Sequence, residues 1–351
     1  MPPKGKGDGK KEGKGGKTKP NLAIEFHADL DLKKLGDNIS KAKVPMEPLA
    51  TFTKKVKAEY QGIKDNEILD IPTFPLFVTE PMGFDTTKCI FGLLEVYPWL
   101  KQISLFHCKI GDDGVMVIAD FLKMYKPPAD RNPFGITILE LPENDITEKG
   151  ALYLGRVLTH NETVTTLNLD FNPIGDEGAA ALGEGLKWNS TLENLSMKYC
   201  SIGPIGGECV GTLIVRSSSV RELYLRGNQI GPHGVIHIAR ALSKNAYLTK
   251  IDLADTGFGI DLEAIEALRD GFESNDSLET VDLKMNSMVP TGVQLLLEML
   301  KAKPKLTRFE VSERISDAVF RDILDTVANN DKIMKNKRKK GGKKKAAKKK
   351  G

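Results

Sequence analysis

Four cysteines in 351 residues, none in a C-x-x-C pair, are too few and too scattered for a disulfide framework or a zinc finger. They read as reduced thiols. No stretch approaches the roughly 18 uninterrupted apolar residues of a membrane-spanning helix, and the start MPPKGKGDGKKEGKGGKTKP has no apolar run behind its charges. There is no Gly at position 2 for myristoylation and no C-terminal cysteine for prenylation. Also missing are G-x-x-x-x-G-K-[ST], H-E-x-x-H, G-x-S-x-G and a G-x-G-x-x-G behind a strand. The expectation is a soluble, non-secreted, non-enzymatic chain without cofactor, metal, membrane or small-molecule substrate.

What is present is unevenly spread. The net charge of +4 hides a charge of +5 on residues 1 to 19, +12 on residues 332 to 351 and −13 on the body between them. Both ends are rich in Lys, nearly free of aromatic and branched apolar residues, and so unable to offset their ordering entropy by burial. Residues 1–20 and 332–351 are therefore expected to be disordered basic tails.

The body repeats itself. VTTLNLDFNPIG (from Val164) returns as VRELYLRGNQIG (from Val220), and related segments begin at Leu100, Ile136, Leu192, Leu248, Leu278 and Leu306, at intervals of 36, 28, 28, 28, 28, 30 and 28 residues. In each, apolar residues occupy positions 1, 4, 6 and 11, and a small or amide residue occupies position 9. Pairs such as Leu139-x-Leu141 and Leu223-x-Leu225 have the period of a strand with one buried face. The following segments, DEGAAALGEGLKW or PHGVIHIARALSK, have helical periodicity. One strand–turn–helix unit cannot bury both its apolar faces, but stacked units can. Asn144, Asn172, Asn228 and Asn286 at position 9 are placed to satisfy backbone groups of the turn.

The eight L-x-x-L-x-L-x-x-N/C/T-x-I segments resemble the leucine-rich repeats, specifically the ribonuclease-inhibitor-like class of 28 residues. The resemblance implies an α/β solenoid, a horseshoe with an inner parallel β-sheet and outer helices, about eight repeats long. Residues 98–331 would form it. Residues 21–97 would be an N-terminal cap, with EILDIPTF and TTKCIFGLLEVY as a degenerate strand and helix and two stretches further upstream as helices. KPPADRNP (126–133) accounts for the one long interval, and SDAVFRDILDTVANN reads as the terminal cap.

Candidate functional residues follow from the strand period. Positions 3, 5 and 7 face away from the core, position 8 begins the turn, and neighbouring repeats align them, which brings Phe171, Tyr199 and Tyr224 close to Lys198 and Arg226, with Asp252 and Asp282 toward the C-terminal repeats. Exposed aromatics beside an Arg have the composition of a protein-binding hot spot. The plainer alternative is that the rings only cover neighbouring backbone. In the C-terminal tail Lys337, Arg338, Lys339, Lys340, Lys343, Lys344, Lys345, Lys348, Lys349 and Lys350 would attract an acidic polymer, tubulin tails or nucleic acid, without sequence selectivity. His233 and His237 stand four apart on one helix, but no third ligand lies close in the sequence, so they read as surface residues. Cys108 and Cys200, three strands apart, cannot pair and read as amide replacements.

Together these features suggest an interaction scaffold, with its concave face on a protein partner and its basic tails on an acidic surface. The Lys/Gly-rich start is similar to leucine-rich-repeat proteins of cilia and flagella, which implies an axonemal or microtubule setting in the cytoplasm, with a nuclear location as the alternative. The same repeat class includes Ran GTPase-activating proteins, so regulation of a small GTPase is the rival reading, with RNA or ribosome association a third.

Overall fold

The computed structural model describes residues 76–94, 100–124, 135–312 and 314–348, and single positions 37, 41 and 54. Among these, strand and helix alternate as β1 (Leu76–Val78), α1 (Gly83–Leu94), β2 (Gln102–Leu105), α2 (Gly111–Met124), β3 (Ile138–Glu140), α3 (Glu148–Leu158), β4 (Thr166–Asn168), α4 (Gly175–Leu186), β5 (Asn194–Ser196) and α5 (Pro204–Arg216). They continue as β6 (Glu222–Tyr224), α6 (Gly231–Leu242), β7 (Lys250–Asp252), α7 (Leu262–Ser274), β8 (Thr280–Asp282), α8 (Pro290–Ala302), β9 (Arg308–Glu310) and α9 (Asp317–Lys348). The nine strands form one sheet in sequence order, each parallel to the next. This is the solenoid that the repeat spacing predicts.

Register follows the repeat. Ile103, Leu139, Leu167, Leu195, Leu223, Ile251, Val281 and Phe309 pair directly from strand to strand. All are buried, as is the second column, Leu105, Leu141, Leu169, Met197, Leu225, Leu253, Leu283 and Val311. Leu154, Leu182, Ile238, Leu268 and Leu296 close the core from the helices. A slip of one residue in any strand would turn these side chains to water, so the pairing is pinned. Truncating one, such as Leu195 to Ala, is expected to destabilise by about 2–5 kcal/mol.

The position-9 amides do what their spacing suggests. Asn228 Oδ1 accepts the backbone N–H groups of Cys200 (2.9 Å) and Ile202 (3.0 Å) in the preceding turn, while its Nδ2 donates to the Met197 and Leu225 carbonyls, both at 2.7 Å. Asn144, Asn172 and Asn286 repeat the pattern. Where a sulfur replaces the amide, Cys108 and Cys200 thiols donate to the Val78 and Leu169 carbonyls. A second amide row, absent from the sequence reading, closes the opposite loops: Asn189 donates to Leu158 and Asn161, Asn275 to Leu242 and Asn245, and Asn330 to Leu300.

Two boundaries differ from expectation. The sheet starts inside the region read as a cap, because LFV at β1 pairs with β2 and α1 contains the expected TTKCIFGLL helix, so among the described residues one strand precedes the eight repeats. At the other end α9 runs across the 331/332 boundary to Lys348, through the stretch expected to be a disordered tail. Lys, Arg and Ala are strong helix formers, the segment lacks proline, and α9 is already nucleated where Ile323 and Asn330 bury against the last repeat. Asp37 and Lys54, in the stretches expected to form upstream helices, are helical. Residues 1–20, EILDIPTF, KPPADRNP, Lys349 and Lys350 lie outside the described residues.

Candidate protein-binding face

The open face of the sheet gathers most of the candidate residues. Phe171 and Tyr199, one repeat apart, stack with ring centroids at 4.9 Å and an interplanar angle of 6°. Both stand at the position after the strand where the chain turns with positive φ, 60° and 53°. His107, Glu143, Asp255 and Met285 share that conformation in other repeats, and the sixth strand's turn has Gly227 there. For a bulky side chain the left-handed region is strained. Glycine matters at 227 for a second reason: a Cβ there would lie 2.1 Å from Tyr199 Cε1. Tyr199 therefore covers its neighbour's backbone with one side of its ring and carries Phe171 on the other, and both keep about half their surface, 40% and 54%, in water.

Beside this ledge two lysines flank the Tyr224 ring. Lys198 Nζ lies 4.8 Å from the centre of the Tyr224 ring and Lys250 Nζ lies 4.6 Å from it. Lys250 also donates to the Tyr224 hydroxyl at 2.8 Å, and that hydroxyl donates to Glu222. Burial and the Glu222 carboxylate push the Tyr224 phenol well above the ordinary tyrosine range, so the ring is neutral. Lys198 is held from below by Asp170, at 3.9 Å, whose other oxygen accepts from Ser196 Oγ (2.6 Å) and Lys198 N (2.8 Å).

Arg226 spans three strands. Its Nε donates to Asp252 at 3.2 Å and its Nη2 to Asp282 at 2.5 Å. Burial works against the guanidinium charge, but the two carboxylates outweigh it and hold Arg226 above its usual range. One guanidinium serves two acids, so Asp282 has the opposite balance. Burial raises it, Asp252 adds to the rise, and the Lys284 N–H and Arg226 only partly counter it.

These residues come together as the strand period predicts, in unequal surroundings. Asp252 is buried under Arg226 and anchors it, and Glu310 on β9 is paired with Lys284. Asp252, Asp282 and Glu310 are thus matched within the chain. Lys250 and Glu222 were missed; they occupy position 3, a column that shares the 28-residue spacing and would have revealed them. A second aromatic pair, Phe77 and Phe106 at 5.5 Å, stands at the N-terminal end of the same face. In the basic segment Lys337, Arg338 and Lys339 are exposed on α9, and Arg338 reaches Glu279 at 3.5 Å. Lys340, Lys343, Lys344, Lys345 and Lys348 belong to the same helix. A cleft of about 710 Å³ opens elsewhere, between β9 and α9, lined by Met285, Phe309, Phe320 and Leu324.

A family profile described as Leucine Rich repeat matches residues 98–119, 160–183 and 216–239. These matches begin just before β2, β4 and β6 and run into the helix that follows each. Solved structures similar to the chain include leiomodin-1 actin-binding site 2, at 13% identity over 56% of this chain and 96% of that one, with a TM-score of 0.39. The C-terminal domain of tropomodulin from Caenorhabditis elegans is 12% identical over 54% and 97%, with a TM-score of 0.35. The yeast Rad7 and Elc1 complex matches at 13% identity over 84% and 90%, with a TM-score of 0.32. Among curated proteins nothing matches.

Proposed function

We propose that this chain, a leucine-rich-repeat protein, is a non-enzymatic interaction scaffold that holds a protein partner on the open face of its sheet at Phe171, Tyr199, Lys198, Tyr224, Lys250 and Arg226. The stacked, exposed Phe171–Tyr199 pair carries this reading. A left-handed backbone disfavours large rings, and half-exposed rings return only part of their burial energy, so stability alone gives little reason to place both there. A partner segment with an aromatic or aliphatic anchor flanked by carboxylates would fit a ledge bordered by two lysines.

The basic end is the second half of the proposal. The Lys-rich stretch of α9, from Lys337 onward, would tether the complex to an acidic polymer through counterion release. Tubulin tails in a ciliary or microtubule setting are the first candidate, and nucleic acid the second.

The decisive experiment is affinity capture with the intact chain. A Phe171→Ala/Tyr199→Ala double variant should lose proteins that both the unmodified chain and Trp188→Ala, altered on the loop after α4, retain. Identical capture by the double variant would refute the binding face. Removing residues 332–351 should weaken cosedimentation with microtubules and flatten its salt dependence, and unchanged cosedimentation would reject the tether.

A further inference from the structure

Helices α5 and α6 approach closely because glycines line their contact. A Cβ on Gly207 would lie 2.6 Å from the Gly234 Cα, and one on Gly211 would lie 3.0 Å from the His237 carbonyl oxygen. That approach brings Glu208, next to Gly207, against the face of α6 on which His233 and His237 stand one turn apart. Glu208 Oε1 is 2.5 Å from His233 Nε2, and the two imidazoles meet edge to face with centroids at 5.0 Å. One donor atom from each of the three residues lies within 4.8 Å of the other two.

We propose that Glu208, His233 and His237 bind one divalent transition-metal ion of the zinc type, with water in the remaining position. Two imidazole nitrogens and one carboxylate oxygen suit zinc, whereas calcium and magnesium favour all-oxygen shells. Histidines four apart on a helix project to the same side, which is the geometry a shared ion needs. The third ligand was invisible in the sequence because it comes from the preceding repeat: Glu208 stands 25 residues before His233, close to the 28-residue period, so stacking places it beside the pair.

The plainer reading is an exposed Glu208–His233 ion pair, an interaction worth only about 0–1 kcal/mol. It leaves the position of His237 without a purpose. Arg216, Arg240 and Lys244 line the groove that continues from Glu208 and His237, and Arg216 is held by Glu184 at 2.6 Å. Their charge opposes a bare dication, so an affinity in the micromolar range is expected. By bridging α5 and α6, the ion would fasten the two repeats that also carry Tyr199 and Arg226 on the opposite face.

The test is calorimetric titration of the untagged full chain with zinc chloride, together with the visible absorption of a cobalt(II) complex. One ion per chain should bind, and His233→Ala and His237→Ala should each weaken binding roughly tenfold or more. Glu208→Gln, which keeps the shape and removes the charge, should weaken it too. His107→Ala, remote from the site, should bind like the unmodified chain, and zinc should raise the melting temperature of both. No saturable binding, or binding that persists in the His233→Ala/His237→Ala chain, would overturn the assignment. Circular dichroism on each variant confirms that these surface changes leave the fold intact.

Discussion

Tyr199 lies flat over Gly227, so close that no side chain could occupy position 227 without displacing the ring. The same tyrosine supports Phe171 on its other side, which makes one glycine the foundation of the whole aromatic ledge.

Gly227→Ala should therefore carry two separable penalties, the clash with Tyr199 and the strain of an alanine at φ +72°. A loss of about 1–3 kcal/mol is expected in urea denaturation. Adding Tyr199→Ala should restore the part due to the clash and leave the rest. Equal midpoints for Gly227→Ala and the unmodified chain would mean that Tyr199 does not sit on this backbone.

Asn228→Ala should be costly for a different reason. It strands two buried N–H groups in the preceding turn and removes the donors to two carbonyls. At about 1–3 kcal/mol for each stranded group, a total near 3 kcal/mol or more is expected. Asn194→Ala removes only a long, part-buried 3.3 Å contact with Thr166 Oγ1 and should change stability by less than about 0.5 kcal/mol. Chemical denaturation of the two variants side by side checks the contrast.

Arg226→Ala leaves Asp252 and Asp282 facing each other without their shared cation. A loss of about 2–4 kcal/mol at neutral pH is expected, below the full range for buried pairs because the guanidinium is partly exposed. Asp282, with its folded value raised, contributes stability that is complete below its unfolded value and disappears as pH rises through the folded one. The deficit of the variant should accordingly shrink as pH falls through the carboxylate range. A deficit independent of pH would show that the two acids are not coupled to Arg226.

The thiols give a prediction at alkaline pH. Burial pushes Cys108 and Cys200 up from 9.0 to about 12. Their contribution to stability is complete below pH 9 and is lost between pH 9 and about 12, as the unfolded chain's thiols ionise first. At pH 8 Cys108 and Cys200 should resist a disulfide exchange reagent while the half-buried Cys89 and Cys209 react. Labelling of all four at one rate would contradict their burial.

How much of this was legible depends on whether a feature repeats. Leu139, Leu167, Leu195 and Leu223 are 28 apart in sequence and face each other in the sheet, so arithmetic alone located the strands and the Phe171–Tyr199 neighbourhood. Pairings that cross the period obliquely were hidden. Arg226 reaching Asp282 two strands away, and Glu208 meeting a histidine on the next helix, depend on rotamer and helix phase, which spacing does not encode. β1 escaped because LFV has two buried positions and none of the flanking pattern, and the length of α9 because charge was weighed over propensity.

The asparagine row gives the stack a direction. The turns at Cys108, Asn144, Cys200 and Thr256 are each satisfied by an asparagine of the repeat that follows, so those modules are finished only when their successors have arrived. On the opposite loops the C-terminal end is closed by α9, whose Asn330 reaches back to the carbonyls of Leu300, Lys303 and Leu306. The helix that carries the basic segment is thus also the latch of the solenoid. Anything that pulls on the cationic end loads this latch, from which unzipping would spread toward the amino terminus.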